Sequence, residues 1–353
     1  MIQVMEYRQL GNTDLQVSLI CLGTMTWGEQ NTPEEGFAQM DYALEQGINF
    51  FDTAEMYAVP PKAETYGRTE EIIGEWFQSR KQRDRVILAS KVAGKTTMDW
   101  IRGGNNQLDR KNITEALENS LKRLKTDCID LYQLHWPDRP TNRFGKLGFA
   151  YAADELPPHE EEKMHEILSI LGDLIKAGKI RAIGLSNESP WGVMTYLRLA
   201  EKYSLPRMVS IQNAYNLLNR KFEVGLSEIA VRENCGLLAY SPLAAGTLTG
   251  KYLGGKIPAG SRRSLDSRSS RYDNPRAESA TKAYLEVAKR HNLDPAQMAI
   301  AFVNQQPFLT SNIIGATSME QLKTNIGAIH LKLSEEALKD IEAVHQQQPN
   351  PCP

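Results

Sequence analysis

Four residues of this chain carry the side chains needed to hold and move a proton: Asp52, Tyr57, Lys91 and His135. Each stands at or just beyond the C-terminal end of a short apolar run. Asp52 closes residues 49–52, Tyr57 follows in the loop behind it, Lys91 closes 86–91 and His135 closes 128–135. If these runs are neighbouring parallel strands, about 4.8 Å apart, the ends share one face and the four side chains can meet. A lysine and an aspartate are each costly to bury alone, so their joint placement points to one shared pocket. Taken singly, the residues have plainer uses. An Asp at a strand end can cap a helix, and a Tyr or a His can simply fill a core.

The elements that would position these groups are legible in the apolar pattern. Short apolar runs alternate with helical periodicity, the signature of βα units and a parallel sheet. Eight candidate strands cover residues 18–22, 49–52, 86–91, 128–135, 180–186, 208–212, 236–240 and 313–315. Helical patterns cover 112–124, 160–177, 190–202, 221–233 and 278–290. A further helix start is written in Thr32-Pro33-Glu34-Glu35, with Thr32 as cap, Pro33 at the first helical position and Glu35 completing a capping box. Eight strands each followed by a helix predict an α/β fold of the closed (β/α)8 TIM barrel kind, in one domain over residues 1–353. Residues 7–17, with Gly11-Asn12-Thr13-Asp14 between β-prone stretches, predict an N-terminal β-hairpin that plugs the barrel's bottom. The connections 137–159 and 243–274, after the fourth and seventh strands, are too long for plain turns and read as lids over the active face.

Composition excludes several classes of partner. With 353 residues, 41% hydrophobic and 24% charged, the chain can bury a large core and is not disordered. Lys plus Arg number 41 and Asp plus Glu 43, a formal charge of -2, so no basic surplus calls for nucleic acid or an anionic membrane. Residues 1–10 lack a basic stretch leading into an apolar one, and no later stretch suits a membrane span. The four cysteines, Cys21, Cys128, Cys235 and Cys352, are widely spaced and read as reduced thiols in a cytoplasmic protein. There is no G-x-G-x-x-G dinucleotide fingerprint, Gly94-Lys95-Thr96 lacks the rest of a P-loop, and the six histidines form no metal-ligand set. Ser318-Met319-Glu320-Gln321 does have the form of a capping box, which would place a helix N-terminus, a natural anion site, just after the eighth strand.

Four strings appear in order along nearly the whole chain. They are Gly47-Ile48-Asn49-Phe50-Phe51-Asp52-Thr53-Ala54-Glu55-Met56-Tyr57, Asp130-Leu131-Tyr132-Gln133-Leu134-His135-Trp136, Gly184-Leu185-Ser186-Asn187 and Ile314-Gly315-Ala316-Thr317. Together they resemble the aldo-keto reductase superfamily. The resemblance implies a barrel that binds NADP(H) in extended form without a Rossmann fingerprint and reduces an aldehyde or ketone. It assigns Tyr57 as proton donor, with Lys91 lowering the phenol's pKa, Asp52 holding the ammonium and a neutral His135 donating a second hydrogen bond to the carbonyl oxygen. Such a reaction does need a proton at oxygen as hydride reaches carbon, and a phenol titrating near ~10 gains from a neighbouring cation. Trp27 and Trp136 would wall the substrate pocket.

For the cofactor, the resemblance implies that Ser186, Asn187 and Gln212 hold the nicotinamide carboxamide while Tyr240 stacks on the ring. Ser241, Pro242, Leu243, Ala244 and Gly246 would wrap the pyrophosphate with Lys251. Gly315 and Thr317 would line the adenosine phosphate, Gln321 and Asn325 the adenine side, and Arg262 would reach the 2′-phosphate. Arg263, Arg268 and Arg271 compete with Arg262, and spacing does not separate them. Thr24, Met25, Gln30 and Asp52 complete the cofactor set.

The chain also resembles potassium-channel β subunits, which suggests an NADP(H)-binding redox-sensing or regulatory module as the alternative. Those subunits differ at the position matching His135, and the complete tetrad favours turnover. A Schiff-base aldolase with Lys91 as nucleophile is a third reading. The expected partner is a small carbonyl compound, with the chain itself a monomer or weak oligomer.

Overall fold

Runs such as Ile87–Val92 and Ile129–Leu134 are too apolar to leave either face in water, so they pair side by side and are covered on both faces. The protein is described by a computed structural model over residues 5–104, 106–265 and 270–353. Strands β1 (Tyr7–Gln9) and β2 (Gln16–Ser18) form an antiparallel hairpin. They are followed by β3 (Ile20–Gly23), β4 (Phe50–Asp52), β5 (Ile87–Val92), β6 (Ile129–Leu134), β7 (Ile180–Ser186), β8 (Met208–Ala214), β9 (Gly236–Tyr240) and β10 (Leu309–Ile314). The last eight are parallel to their neighbours and close in chain order into a barrel, β10 returning to β3. Helices between the strands cover the outside, as the (β/α)8 expectation requires.

The interior is filled from below. Cys21, Phe50, Ala89, Leu131, Ala182, Val209, Leu238 and Ile313 pack inside the barrel, and Leu10 and Leu15 of the hairpin close that end. Gly11 makes this approach feasible. Its φ is +56°, and a Cβ there would stand 2.7 Å from Val209 Cβ. The hairpin is therefore the plug that residues 7–17 predict.

Three elements differ from the expectation by more than two residues. The last strand starts at Leu309 rather than 313, because Thr310, Ser311 and Asn312 hide its apolar signal. Their burial is offset in part by hydrogen bonds: Ser311 Oγ donates to Ser18 O at 2.7 Å and Asn312 Nδ2 to Asn304 Oδ1 at 2.9 Å, while Asn312 Oδ1 is buried without a partner. The helix expected over 221–233 is divided into a 3-10 turn, Lys221–Glu223, and a helix, Leu226–Arg232, since Gly225 lies between them at φ +98°. The helix expected over 278–290 starts earlier, at Pro275, with Asn274 as its cap. The capping box at Thr32 forms as read. All four cysteines are free, and no helix among the described residues is long and apolar enough to cross a membrane.

Candidate active site

Register sets the site. Asp52, the last residue of β4, is level with Ala89, and two residues further along β5 Lys91 is level with Gln133 of β6. Inward-facing residues on adjacent strands thereby place a carboxylate and an ammonium together at the top of the packed interior. Lys91 is fully buried, and its Nζ donates to Asp52 Oδ2 at 2.6 Å and to the Thr53 carbonyl at 2.7 Å. Tyr57, carried by the loop after β4, brings its hydroxyl to 3.5 Å from the same nitrogen. His135 follows β6 directly, its N–H extending the sheet to Val92 O at 2.9 Å. Its ring meets the Tyr57 ring edge-on at 5.8 Å between centroids. The four expected side chains do converge.

Two glutamines finish the arrangement. Asp52 Oδ1 accepts from Gln212 Nε2 at 2.8 Å and from Gln133 Nε2 at 3.2 Å, so both carboxylate oxygens are engaged. Gln212 also donates to Gln133 Oε1 at 3.1 Å. Gln133 was not among the expected site residues, although it stands two residues before His135 and hence on the same side of the strand.

The electrostatics correct one expectation. Burial pushes the Tyr57 phenol above its ordinary range, and Lys91, which pulls it down, does not overcome that. The phenol is thus held protonated. Burial works against the Lys91 charge, but Asp52 and then Tyr57 hold the ammonium above its usual range. His135 is pushed well below 6.5 by burial and then by the Lys91 charge, so its ring is neutral.

The Tyr57 loop is clamped from behind by a pair that sequence reading did not single out. Glu55, fully buried, forms an ion pair with Arg102 and accepts from the Ala93 amide at 2.6 Å and from Tyr66 Oη at 2.9 Å. Arg102 in turn donates to the Ala93 carbonyl at 2.7 Å.

From the tetrad a cavity of about 1010 Å³ runs across the barrel top to the helix Met319–Gly327. Thr24, Met25, Gln30, Ser186, Asn187, Gln212, Tyr240, Ser241, Pro242, Leu243, Gly246, Lys251, Arg262, Gly315, Thr317, Gln321 and Asn325 line it, along with Asp52, Tyr57, His135 and Trp136. Asn187 directly follows β7 at φ +55°, the local turn its type permits, and still faces the cavity. Its Nδ2 donates to the His135 carbonyl at 2.9 Å, and its Oδ1 accepts from Tyr240 Oη at 2.6 Å. Gly246 lets Lys251 fold over the backbone: a Cβ there would come within 2.9 Å of the ammonium nitrogen.

Several expected members stand elsewhere. Trp27 is fully buried behind the cavity, donating from Nε1 to Gln39 Oε1 at 3.1 Å and packed against Gly36, so it does not wall the pocket. Ala244 is buried in the core rather than in the cavity wall. Arg263 does not line the cavity: it packs over the Tyr252 ring and donates to Asp273 Oδ1 at 2.9 Å and to Tyr272 O at 2.6 Å. Arg268 lies outside the described residues. Ser318 caps its helix, accepting from the Gln321 amide at 3.3 Å, but the Gln321 side chain reaches the Thr317 N–H, one residue before the cap, so the box is not closed as read. In the loop 137–159 only Phe144 reaches the cavity; Phe149 packs on Tyr151 instead.

The profile of the Aldo/keto reductase family matches residues 19–346. The chain belongs to the aldo/keto reductase family. It is similar to Protein tas of Escherichia coli (strain K12), at 54% identity over 351 residues that cover 99% of this chain and 100% of that protein. It is also similar to the uncharacterized oxidoreductase YrpG of Bacillus subtilis (strain 168), at 36% identity over 95% of this chain and 94% of the relative. A probable voltage-gated potassium channel subunit beta of Oryza sativa subsp. japonica is 32% identical over 98% of both chains. Aldo/keto reductases are oxidoreductases that generally use NAD(P)H, and this chain's cavity has the donors for such a group. Both polar atoms of the Gln30 side chain are buried without a protein partner, as is His135 Nδ1. Lys251 and Arg262 line the cavity with the N-terminus of helix Met319–Gly327, a set suited to phosphates.

Proposed function

We propose that this aldo/keto reductase catalyses NADP(H)-dependent reduction of an aldehyde or ketone, with Tyr57 as proton donor. The observation that carries the reading is the position of Lys91 Nζ, bonded to Asp52 Oδ2 and the Thr53 carbonyl and 3.5 Å from Tyr57 Oη. Bound reduced NADP would supply hydride to the carbonyl carbon. As charge develops on the carbonyl oxygen, the Tyr57 hydroxyl gives up its proton, and the adjacent ammonium stabilises the phenolate left behind. Asp52 keeps that ammonium in place. His135, neutral, donates to the same oxygen and fixes its direction, while Trp136, braced by its Nε1 on the Lys95 carbonyl at 3.1 Å, walls the pocket. Ser186, Asn187 and Gln212 would orient the carboxamide, Tyr240 the ring face, and Lys251 with Arg262 the phosphates. We further propose a cytoplasmic protein acting as a monomer or weak oligomer on small molecules.

The test is Tyr57→Phe. Turnover of an aldehyde should fall by about 10²–10⁴, the usual worth of a positioned general acid, while NADPH binding is retained. Undiminished turnover would remove Tyr57 from the role. No reduction by the wild type of any aldehyde, ketone or quinone, with NADPH still bound, would favour the regulatory reading instead.

A further inference from the structure

Among the described residues, two arginines of the loop after β9 line the cavity, Arg262 and Arg271. Arg271 stands against the side chains of Tyr240 and Tyr272, its guanidinium carbon 5.9 Å from the Tyr272 ring centroid. Tyr240 bonds to Asn187, and Asn187 bonds to the His135 carbonyl, so the neighbours of Arg271 are the neighbours of the tetrad. Arg271 is also near Lys221, whose ammonium is disfavoured by burial and then by the Arg271 charge and is held by the carbonyls of Asn142 and Lys146, both at 3.0 Å. Those carbonyls belong to the loop that brings Phe144 to the cavity. Arg271 therefore lines the same cavity as Phe144 of the 137–159 loop, close to the residues that flank the tetrad.

Its placement is built into the fold. Asn274 Nδ2 donates to the Arg271 carbonyl at 3.1 Å, and Asn274 Oδ1 caps helix Pro275–Arg290 through the Ala277 amide at 2.9 Å. Tyr272 is buried, and its hydroxyl accepts from Asn216 Nδ2 at 3.1 Å. The described partners of this guanidinium are two phenols, which are neutral, whereas Lys91 of the tetrad has a carboxylate. A guanidinium is always charged and offers five donors in a planar fork that matches a carboxylate.

We propose that Arg271 is a specificity-determining residue that takes the carboxylate of an acid-bearing carbonyl substrate, such as an oxo acid or a formyl carboxylate. This rests on the reductase reading above, and it assigns Arg271 to the substrate rather than to the cofactor phosphates.

The experiment compares 4-carboxybenzaldehyde with 4-nitrobenzaldehyde, similar in size and different in charge, in the wild type, Arg271→Gln and Arg271→Lys. Arg271→Gln should lower kcat/KM for the carboxylated aldehyde by about tenfold or more, chiefly through KM, and leave the nitro compound within about twofold, the difference expected for one charge-assisted fork. Arg271→Lys, which keeps the charge and loses the fork, should recover part of that loss. NADPH affinity, measured by fluorescence, should be unchanged. Equal losses on both aldehydes, or weakened NADPH binding, would overturn the assignment. Calorimetric binding of terephthalate, which cannot be reduced, separates this failure from failure of the reductase reading. If no aldehyde turns over, terephthalate binding to the NADPH-loaded wild type that is weakened in Arg271→Gln still supports the anion site, and equal or absent binding in both overturns it.

Discussion

His135 keeps its ring neutral in a place where an imidazole would ordinarily begin to charge near pH 6.5, and this has a cost that titration exposes. As pH falls, the unfolded chain takes up this proton first, because the folded ring is held below its ordinary range. The His135 contribution to stability is therefore full above 6.5 and is lost below it. Between pH 7.5 and 5.5 the wild type should lose about 1 kcal/mol more unfolding free energy than His135→Gln, since a full proton difference is worth about 1.4 kcal/mol per pH unit. Urea titrations at the two pH values measure it, and parallel losses would mean that the ring charges inside the fold. At this scale the tetrad was readable because a strand end reports both the height and the face of a side chain. Gln133 was readable by the same rule and was missed, for it carries no charge. Trp27 misled because an aromatic beside a pocket and one behind it look alike in sequence, and only the packing of Gly36 against its ring tells them apart.

Whole elements hold these residues by close packing. The helix Arg68–Arg80, which continues the chain beyond the Tyr57 loop, meets helix Arg110–Leu124 through Gly74, where a Cβ would fall 2.1 Å from the Arg123 carbonyl oxygen. That oxygen is backbone and cannot rotate away. Gly74→Ala should gain helix propensity yet destabilise the protein by about 1–3 kcal/mol, the usual penalty of overpacking, read as a lower urea midpoint at unchanged m. A midpoint equal to that of the wild type would show that the two helices can separate freely. The barrel strands were largely legible because their apolar runs are short and regularly punctuated. β10 was truncated in the reading because polar residues inside a strand are tolerated only through partners far away in sequence, such as Ser18 for Ser311. The Glu55 and Arg102 pair was illegible for the same reason, since nothing local links residues 47 positions apart.

For the molecule as a whole, a cavity that crosses the barrel top makes the bound cofactor part of the fold's stability. With NADPH at a hundred times its Kd, unfolding free energy should rise by about 2.7 kcal/mol, and NADH at the same concentration should give less if Lys251 and Arg262 meet a third phosphate. Thermal shifts with each nucleotide decide this, and identical shifts would remove the preference for NADP(H). The hairpin bears on how such a catalyst cycles. Because Leu10 and Leu15 pack against the interior at the opposite end, the barrel top is the face left for a guest to reach the tetrad. A substrate and a cofactor would therefore come and go by the same side.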